Sequence, residues 1–246
     1  AASGHGHRQP GGFRKDGTCL ILALGSQALD AADREAAGIP VIAGMVLREG
    51  DIRRVRGSTG VFLEFPLETQ LDWLRRLMPE ARRIGVVFNP AENRATIEAA
   101  GRIASRMELE LLTREVATPS ELPGALESLA NRADVLLGIS DNVVVTPQTA
   151  RSLLLFSFRN RIPFIGLSTA WVKAGALYAL DRDYRDIGRQ CAELAGKVLA
   201  GAEAGSLAPV PPRRVTYSLN LKTAEQMKMH VPSSLSKAAE QLFQED

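Results

Sequence analysis

Short apolar runs alternating with amphipathic runs of helical spacing constrain this chain more than any single motif does. Arg83-Ile-Gly-Val-Val-Phe88 and Asp134-Val-Leu-Leu-Gly-Ile139 are apolar at nearly every position. Such runs suit strands buried on both faces, as in a parallel sheet covered by helices. Between them, Leu67, Leu71, Leu74 and Leu77 recur at helical spacing. Strands are expected at 18–24, 40–43, 60–64, 83–88, 110–116, 134–139, 163–167, 176–180 and 214–219. Helices are expected at 26–37, 67–78, 93–106, 119–131, 147–160, 169–174 and 183–200, then near 222–228 and 233–244. The polar stretch 45–58 is ambiguous, and 202–213 reads as a Pro/Gly/Ala linker. Alternating β and α elements predict an α/β protein with parallel sheets. About nine strands in 246 residues are enough for two Rossmann-like lobes.

Composition narrows the function. A net charge of +2, spread along the chain, gives no reason to expect a nucleic acid partner. Aromatic residues make up 5%, too few for a base-stacking platform. No apolar run reaches the ~18 residues of a membrane span, so the chain is not expected to cross a membrane. Cys19 and Cys191 have no Cys or His neighbour at metal-ligand spacing, and packing inside a strand and a helix is the simplest role for them. The start, Ala1 to Gly12, is polar and Gly-rich, and residues 1–17 are expected to be a disordered leader without a signal peptide.

Polar residues gather where strands end and helices begin. Gly25-Ser26-Gln27, Asn89-Pro90, Ser140-Asp141-Asn142, Leu167-Ser168-Thr169 and Asp181 all follow an expected strand. Open α/β sheets bind ligands at the carboxyl ends of their strands. Helix N-termini there offer free N–H groups to anions. Each residue alone is also an ordinary cap or turn residue; as a set they outline a binding cleft. Catalysis has less support. His5 and His7 lie in the leader and His230 follows a late helix, so none is placed as a general base. No nucleophile elbow, Walker loop or dinucleotide fingerprint occurs. Asp141, Asp181 and Asp183 would bind Mg²⁺ only if the fold brought them together; neither a metal nor a cofactor is expected.

With Leu22-Ala-Leu-Gly-Ser-Gln-Ala28, Arg83-Ile-Gly-Val-Val-Phe-Asn-Pro90, Ser140-Asp-Asn142 and Asp181 with Tyr184 and Gly188 in this order, the chain from Ile21 to about Val231 resembles the ABC-transporter substrate-binding proteins of the tryptophan/tyrosine type. The likeness also rests on Ile39-Pro-Val41, Gln70-Leu-Asp-Trp-Leu74 with Met78-Pro79, Ile162-Pro-Phe164 and Gly175-Ala176. The resemblance implies a type I periplasmic-binding-protein-like fold. Two lobes would trap a small amino-acid-like or organic solute and hand it to an ABC permease, without chemistry, in the periplasm or another exported location. Gly25, Ser26 and Gln27 would face the cleft from the first lobe; Asn89, Asp141, Asn142, Ser168 and Asp181 would face it from the second lobe or hinge. Asp141 would suit the solute's ammonium group.

Two departures from the family accompany the likeness. The segment before 20–28 lacks the usual strand–helix–strand–helix unit, and Leu47 to Gly57 replaces its Asp-Pro and Pro-Gly-Gly-Asn elements. Lobe I is therefore expected to be an abbreviated 18–82, joined by part of 183–246. Lobe II would be 83–182, and 183–246 would hold the return helix, linker and C-terminal elements. Other readings are a degenerate relative acting as a sensor or protein-interaction module, and a two-lobed sugar-nucleotide enzyme.

Overall fold

The computed structural model describes residues 17–36 and 38–244. The leader through Asp16, with His5 and His7, lies outside them. The chain divides into two compact units: one runs up to Phe65 and adds Arg182–Val215, the other takes Pro66–Asp181 and continues from Thr216. The chain therefore passes between the units three times.

The first unit is built on a three-stranded parallel sheet, β1 (Ile21–Leu24), β2 (Val41–Val46) and β3 (Ser58–Phe62), in that order. Helices α1 (Ser26–Glu35) and α2 (Glu49–Arg53) connect the strands. The ambiguous stretch 45–58 thus holds a short helix. One face of the sheet buries Ala23, Val41, Ala43 and Val46 against Leu29, Ala32 and Ile52. The other buries Ile42 and Val61 against Ile187, Cys191 and Leu194 of a long helix of this unit, Tyr184–Leu199. Both faces of β2 are covered, which is why Val41–Val46 is apolar throughout rather than alternating, whereas Leu22 and Leu24 of β1 are exposed. Beside β3, Val210 of the Pro-rich linker adds one more rung: its amide donates to the Gly60 carbonyl at 2.9 Å, and it accepts from Phe62 at 3.2 Å.

That linker is strapped to the long helix. The Arg213 guanidinium grips the Asp186 carboxylate with two bonds of 2.8 and 2.9 Å and reaches Glu193 at 2.9 and 3.0 Å. Gln190 donates to Pro211 and accepts from the Arg213 amide. Cys19 departs from expectation. It is exposed and precedes β1, whereas Cys191 is buried, and both are free thiols.

The second unit carries a seven-stranded sheet. Its strands are β4 (Arg83–Phe88), β5 (Glu110–Glu115), β6 (Val135–Leu137), β7 (Phe164–Ile165), β8 (Tyr178–Arg182), β9 (Val215–Asn220) and β10 (Gln241–Phe243). The spatial order is β10-β9-β8-β7-β6-β4-β5. The pairs β4·β5, β4·β6, β6·β7, β7·β8 and β9·β10 are parallel. The helices of this unit are α3 (Leu67–Leu77), α4 (Pro90–Arg106), α5 (Leu122–Glu127), α6 (Ala150–Asn160), α7 (Thr169–Ala174), α9 (Leu221–Gln226) and α10 (Ser233–Ala238); α8 is the long helix of the first unit, Tyr184–Leu199. Leu126, Leu129, Leu136, Leu153, Phe156 and Phe164 belong to one continuous core. Among the described residues no helix is long and apolar enough to cross a membrane.

Several boundaries differ from the sequence reading, and two of them bear on the fold. Helix α6 starts at Ala150 and not at 147, because the Thr149 hydroxyl donates to the Val144 carbonyl and accepts from the Thr146 amide, closing a turn before the helix. The last expected helix, 233–244, stops at Ala238, and 241–243 becomes a strand in register with Ser218–Asn220.

Candidate functional site

The order β5-β4-β6 makes a switch point. From β4 the chain goes to β5 on one side, and then returns to β6 on the other. Helical connections leave a crevice at the carboxyl ends of two such strands. Asn89 follows β4 directly, and Gly138 to Asn142 follow β6.

Asp141 stands at this point, with 6% of its surface exposed. One carboxylate oxygen accepts from the Asn89 amide at 2.7 Å and from the Asn93 side chain at 2.9 Å. The other accepts from the amides of Val143 and Val144, each at 2.8 Å. A carboxylate offers about four acceptor directions, and four N–H groups occupy them. Asp141 therefore fastens the end of β4 to the loop after β6 and folds that loop on itself. The outward-facing work falls to its neighbours. Asn142 is exposed, and its side chain donates to the Glu92 carboxylate at 3.0 Å. The other Glu92 oxygen accepts from the Asn89 side chain at 3.2 Å.

Glu92 and Asn93 were not among the residues singled out from the sequence. The signal was there: Asn89 caps α4 by accepting from the Ala91 amide at 3.1 Å, with Pro90 at the first helical position. Asn-Pro followed by Glu three residues after the cap marks a helix start at 90. The expected start at 93 is three residues late and leaves Glu92 outside the helix.

Further along the same edge, the ends of β7 and β8 form a second polar group. The Thr169 hydroxyl lies 2.6 Å from the Ser218 hydroxyl and donates to Asp181 at 3.4 Å. Ser168, half-buried, precedes α7 in extended backbone and makes no capping bond. Gly166 allows the tight turn, since a Cβ there would lie 2.5 Å from the Cβ of Trp171.

Gly25, Ser26 and Gln27 lie in the other unit, after β1. Gly25 takes φ +88°, open to glycine and strained for other residues, and its amide donates to Gly44 at 2.8 Å. Ser26 and Gln27 are exposed in the first turn of α1, which has no side-chain cap, so its leading N–H groups stay open to an anion. Glu64, at the carboxyl end of β3, was also missed. Burial raises its carboxyl above the ordinary value of 4.5, although Arg48 and Arg182 pull the other way.

Among the described residues no group of three or more His, Cys, Asp and Glu side chains is placed to hold a metal ion. What the three polar clusters offer is hydrogen bonding to a solute with both donors and acceptors.

Residues 13–243 match the family described as ABC transporter substrate binding protein. A tyrosine-binding protein of Clostridioides difficile (strain R20291) is 27% identical over 204 residues, which is 79% of this chain and 59% of that protein. The chain thus spans about three-fifths of the length of this relative. A ligand-free, open substrate-binding protein with adhesive properties from Clostridium difficile superposes with a TM-score of 0.78 at 21% identity, covering 95% of this chain and 81% of that one. A domain from Streptococcus pneumonia in complex with L-Trp gives 0.65 at 19% identity, covering 94% and 80%. These likenesses make the fold type I periplasmic-binding-protein-like, the architecture expected from the sequence.

Proposed function

The chain belongs to the ABC transporter substrate-binding protein family, a family of binding proteins and not of enzymes, and from that premise we propose that it holds an amino-acid-like solute of the aromatic class in a cleft between its two lobes. The solute is then delivered to an ABC permease outside the cytoplasm. The lobes correspond to the two sheets, and the residues that line the cleft are Gly25, Ser26 and Gln27 from one, and Asn89, Asn142, Ser168 and Asp181 from the other. Asp141 acts behind them, by fixing Asn89 and the 140–144 loop.

The observation that carries this reading is the clamp at the switch point. A carboxylate with all four acceptor directions filled inside the fold builds a rigid rim, and rigid rims hold ligands at low entropic cost. The solute's carboxylate suits the uncapped first turn of α1, and its ammonium suits a half-buried carboxylate such as Asp181. The aromatic class is supported by the likeness to a protein named for tyrosine binding and by the likeness to a domain in complex with L-Trp.

Thermal unfolding against a panel of the common amino acids tests it. Tyrosine, tryptophan or phenylalanine should raise Tm progressively with concentration, by about 2.7 kcal/mol of stabilisation at a hundredfold excess over Kd. Folded, monodisperse protein that responds to none of the panel would sink the proposal.

A further inference from the structure

At the opposite edge of the seven-stranded sheet lies a half-open cavity of about 610 Å³. It sits beside the amino ends of β4, β6 and β7, lined there by Arg83, Asp134 and Pro163. The strand ends that carry Asn89 and Asp141 are on the other edge, so this is a separate place on the molecule. Its size falls within the range of small-molecule sites.

The floor is apolar and the rim is cationic. Met78 and Ile162 are buried with 6% and 3% exposed, and both line the cavity. Arg161, Lys228 and His230 also line it, and their side chains have no hydrogen-bond or ion-pair partner among the described residues. The acidic groups facing it do not offset them. Asp134 is taken by Arg83 at 2.7 Å and by the amides of Arg82 and Arg83, and Glu80 is a single exposed carboxylate.

The backbone adds an independent observation. Five described non-glycine residues have positive φ, and three of them, Asn131 (58°), Arg161 (52°) and Lys228 (59°), line this one cavity. Arg161 and Lys228 close helices α6 and α9, and Asn131 lies in the turns that follow α5, positions where glycine would relieve the backbone. Two long, donor-bearing side chains, Arg161 and Lys228, held in a strained conformation at one cavity are the pattern of a ligand site.

We infer that the cavity rimmed by Arg161 and Lys228 is a second binding site, for a small organic anion with an apolar body. The anionic group is held by the Arg161 guanidinium and the Lys228 ammonium, and the apolar body rests on Met78 and Ile162. This site does not depend on the solute that the carboxyl edge binds.

Anilinonaphthalene sulfonate, an apolar anion that fluoresces when bound, tests the inference by titration. Saturable binding of one equivalent is expected, about tenfold weaker or more in the double variant Arg161→Gly/Lys228→Gly. The same variant relieves two strained φ angles, so its Tm should hold or rise, which separates loss of the site from loss of the fold. Arg189→Glu, an exposed charge change in the other unit, should leave the titration unaltered. Phenylnaphthylamine, the neutral counterpart, should bind at least tenfold more weakly than the sulfonate. Unchanged affinity in the double variant, equal binding of the neutral probe, or displacement of the sulfonate by tyrosine would each overturn the inference.

Discussion

The Asn89 amide donates to the Asp141 carboxylate at 2.7 Å, joining the end of β4 to the loop after β6 across 52 positions of sequence. Through this bond one buried side chain sets the shape of the crevice at the switch point, because the same carboxylate also organises Val143, Val144 and Asn93. Replacing Asp141 with Ala leaves those four N–H groups without their acceptor. Bonds to a charged group contribute about 1.5–3 kcal/mol each and are not additive, so Asp141→Ala should lower stability by about 3–5 kcal/mol. Chemical denaturation measures this directly, and a loss under about 1 kcal/mol would mean the clamp is idle.

Asn142 should behave in the opposite way. It is exposed and touches the fold through Glu92, so Asn142→Ala should change stability by under about 0.5 kcal/mol. If its amide faces the solute, affinity for the aromatic amino acid falls about tenfold, roughly the 1.4 kcal/mol of one good hydrogen bond. Calorimetric titration and denaturation on the same variant separate the two effects. Unaltered affinity would remove Asn142 from the site.

The contrast between these adjacent residues shows what the sequence does and does not reveal. An apolar run such as 84–88 announces a strand buried on both faces, because burial leaves no polar position in it. The polar strand ends were legible for the same reason: they break that rule. Which polar residue turns inward was not legible, since Asp141 and Asn142 look alike in a string of letters. Their difference depends on Asn93, 48 positions from Asp141, and on the amide of Asn89. The strand at 241–243 was missed on similar grounds. Among the described residues its pairing is with Ser218–Asn220, and nothing local in Gln241-Leu-Phe243 distinguishes it from a helix end.

Gly60 offers a steric test of the first unit. A Cβ at this position would fall 2.0 Å from the Ala43 carbonyl oxygen, beside the irregular register between Ala43 and Val46. Backbone on the neighbouring strand cannot swing aside as a side-chain tip would. Gly60→Ala should therefore cost at least about 3 kcal/mol, at the upper end of overpacking effects, and a drop in Tm of several degrees should accompany it. Arg213→Ala, which releases the linker from Asp186 and Glu193, should lower Tm by less, because Arg213 is itself half-exposed and its ion pairs are screened by water. Near-equal Tm values for Gly60→Ala and the unaltered protein would show that β2 and β3 can separate freely.

Glu64 and Asp134 predict opposite pH responses. Burial raises the Glu64 carboxyl above its ordinary 4.5, with Arg48 and Arg182 offsetting this in part. The folded state then holds its proton more tightly than the unfolded state, so Glu64 favours folding at low pH. That contribution is lost as pH rises from about 4.5 through the higher folded value. At Asp134 desolvation also opposes charge, but the Arg83 side chain and the amides of Arg82 and Arg83 outweigh it, and the carboxyl is lowered from 3.8. Its contribution is present above about 3.8 and disappears as pH falls through the lower folded value. Glu64→Gln should therefore stabilise the protein at pH 7, with the gain shrinking toward pH 4. Asp134→Asn should destabilise it at pH 7, with the deficit narrowing below about pH 4. Denaturation of both variants and the unaltered protein at a series of pH values checks the signs, and a Glu64→Gln gain that grows on acidification would contradict the burial of that carboxylate.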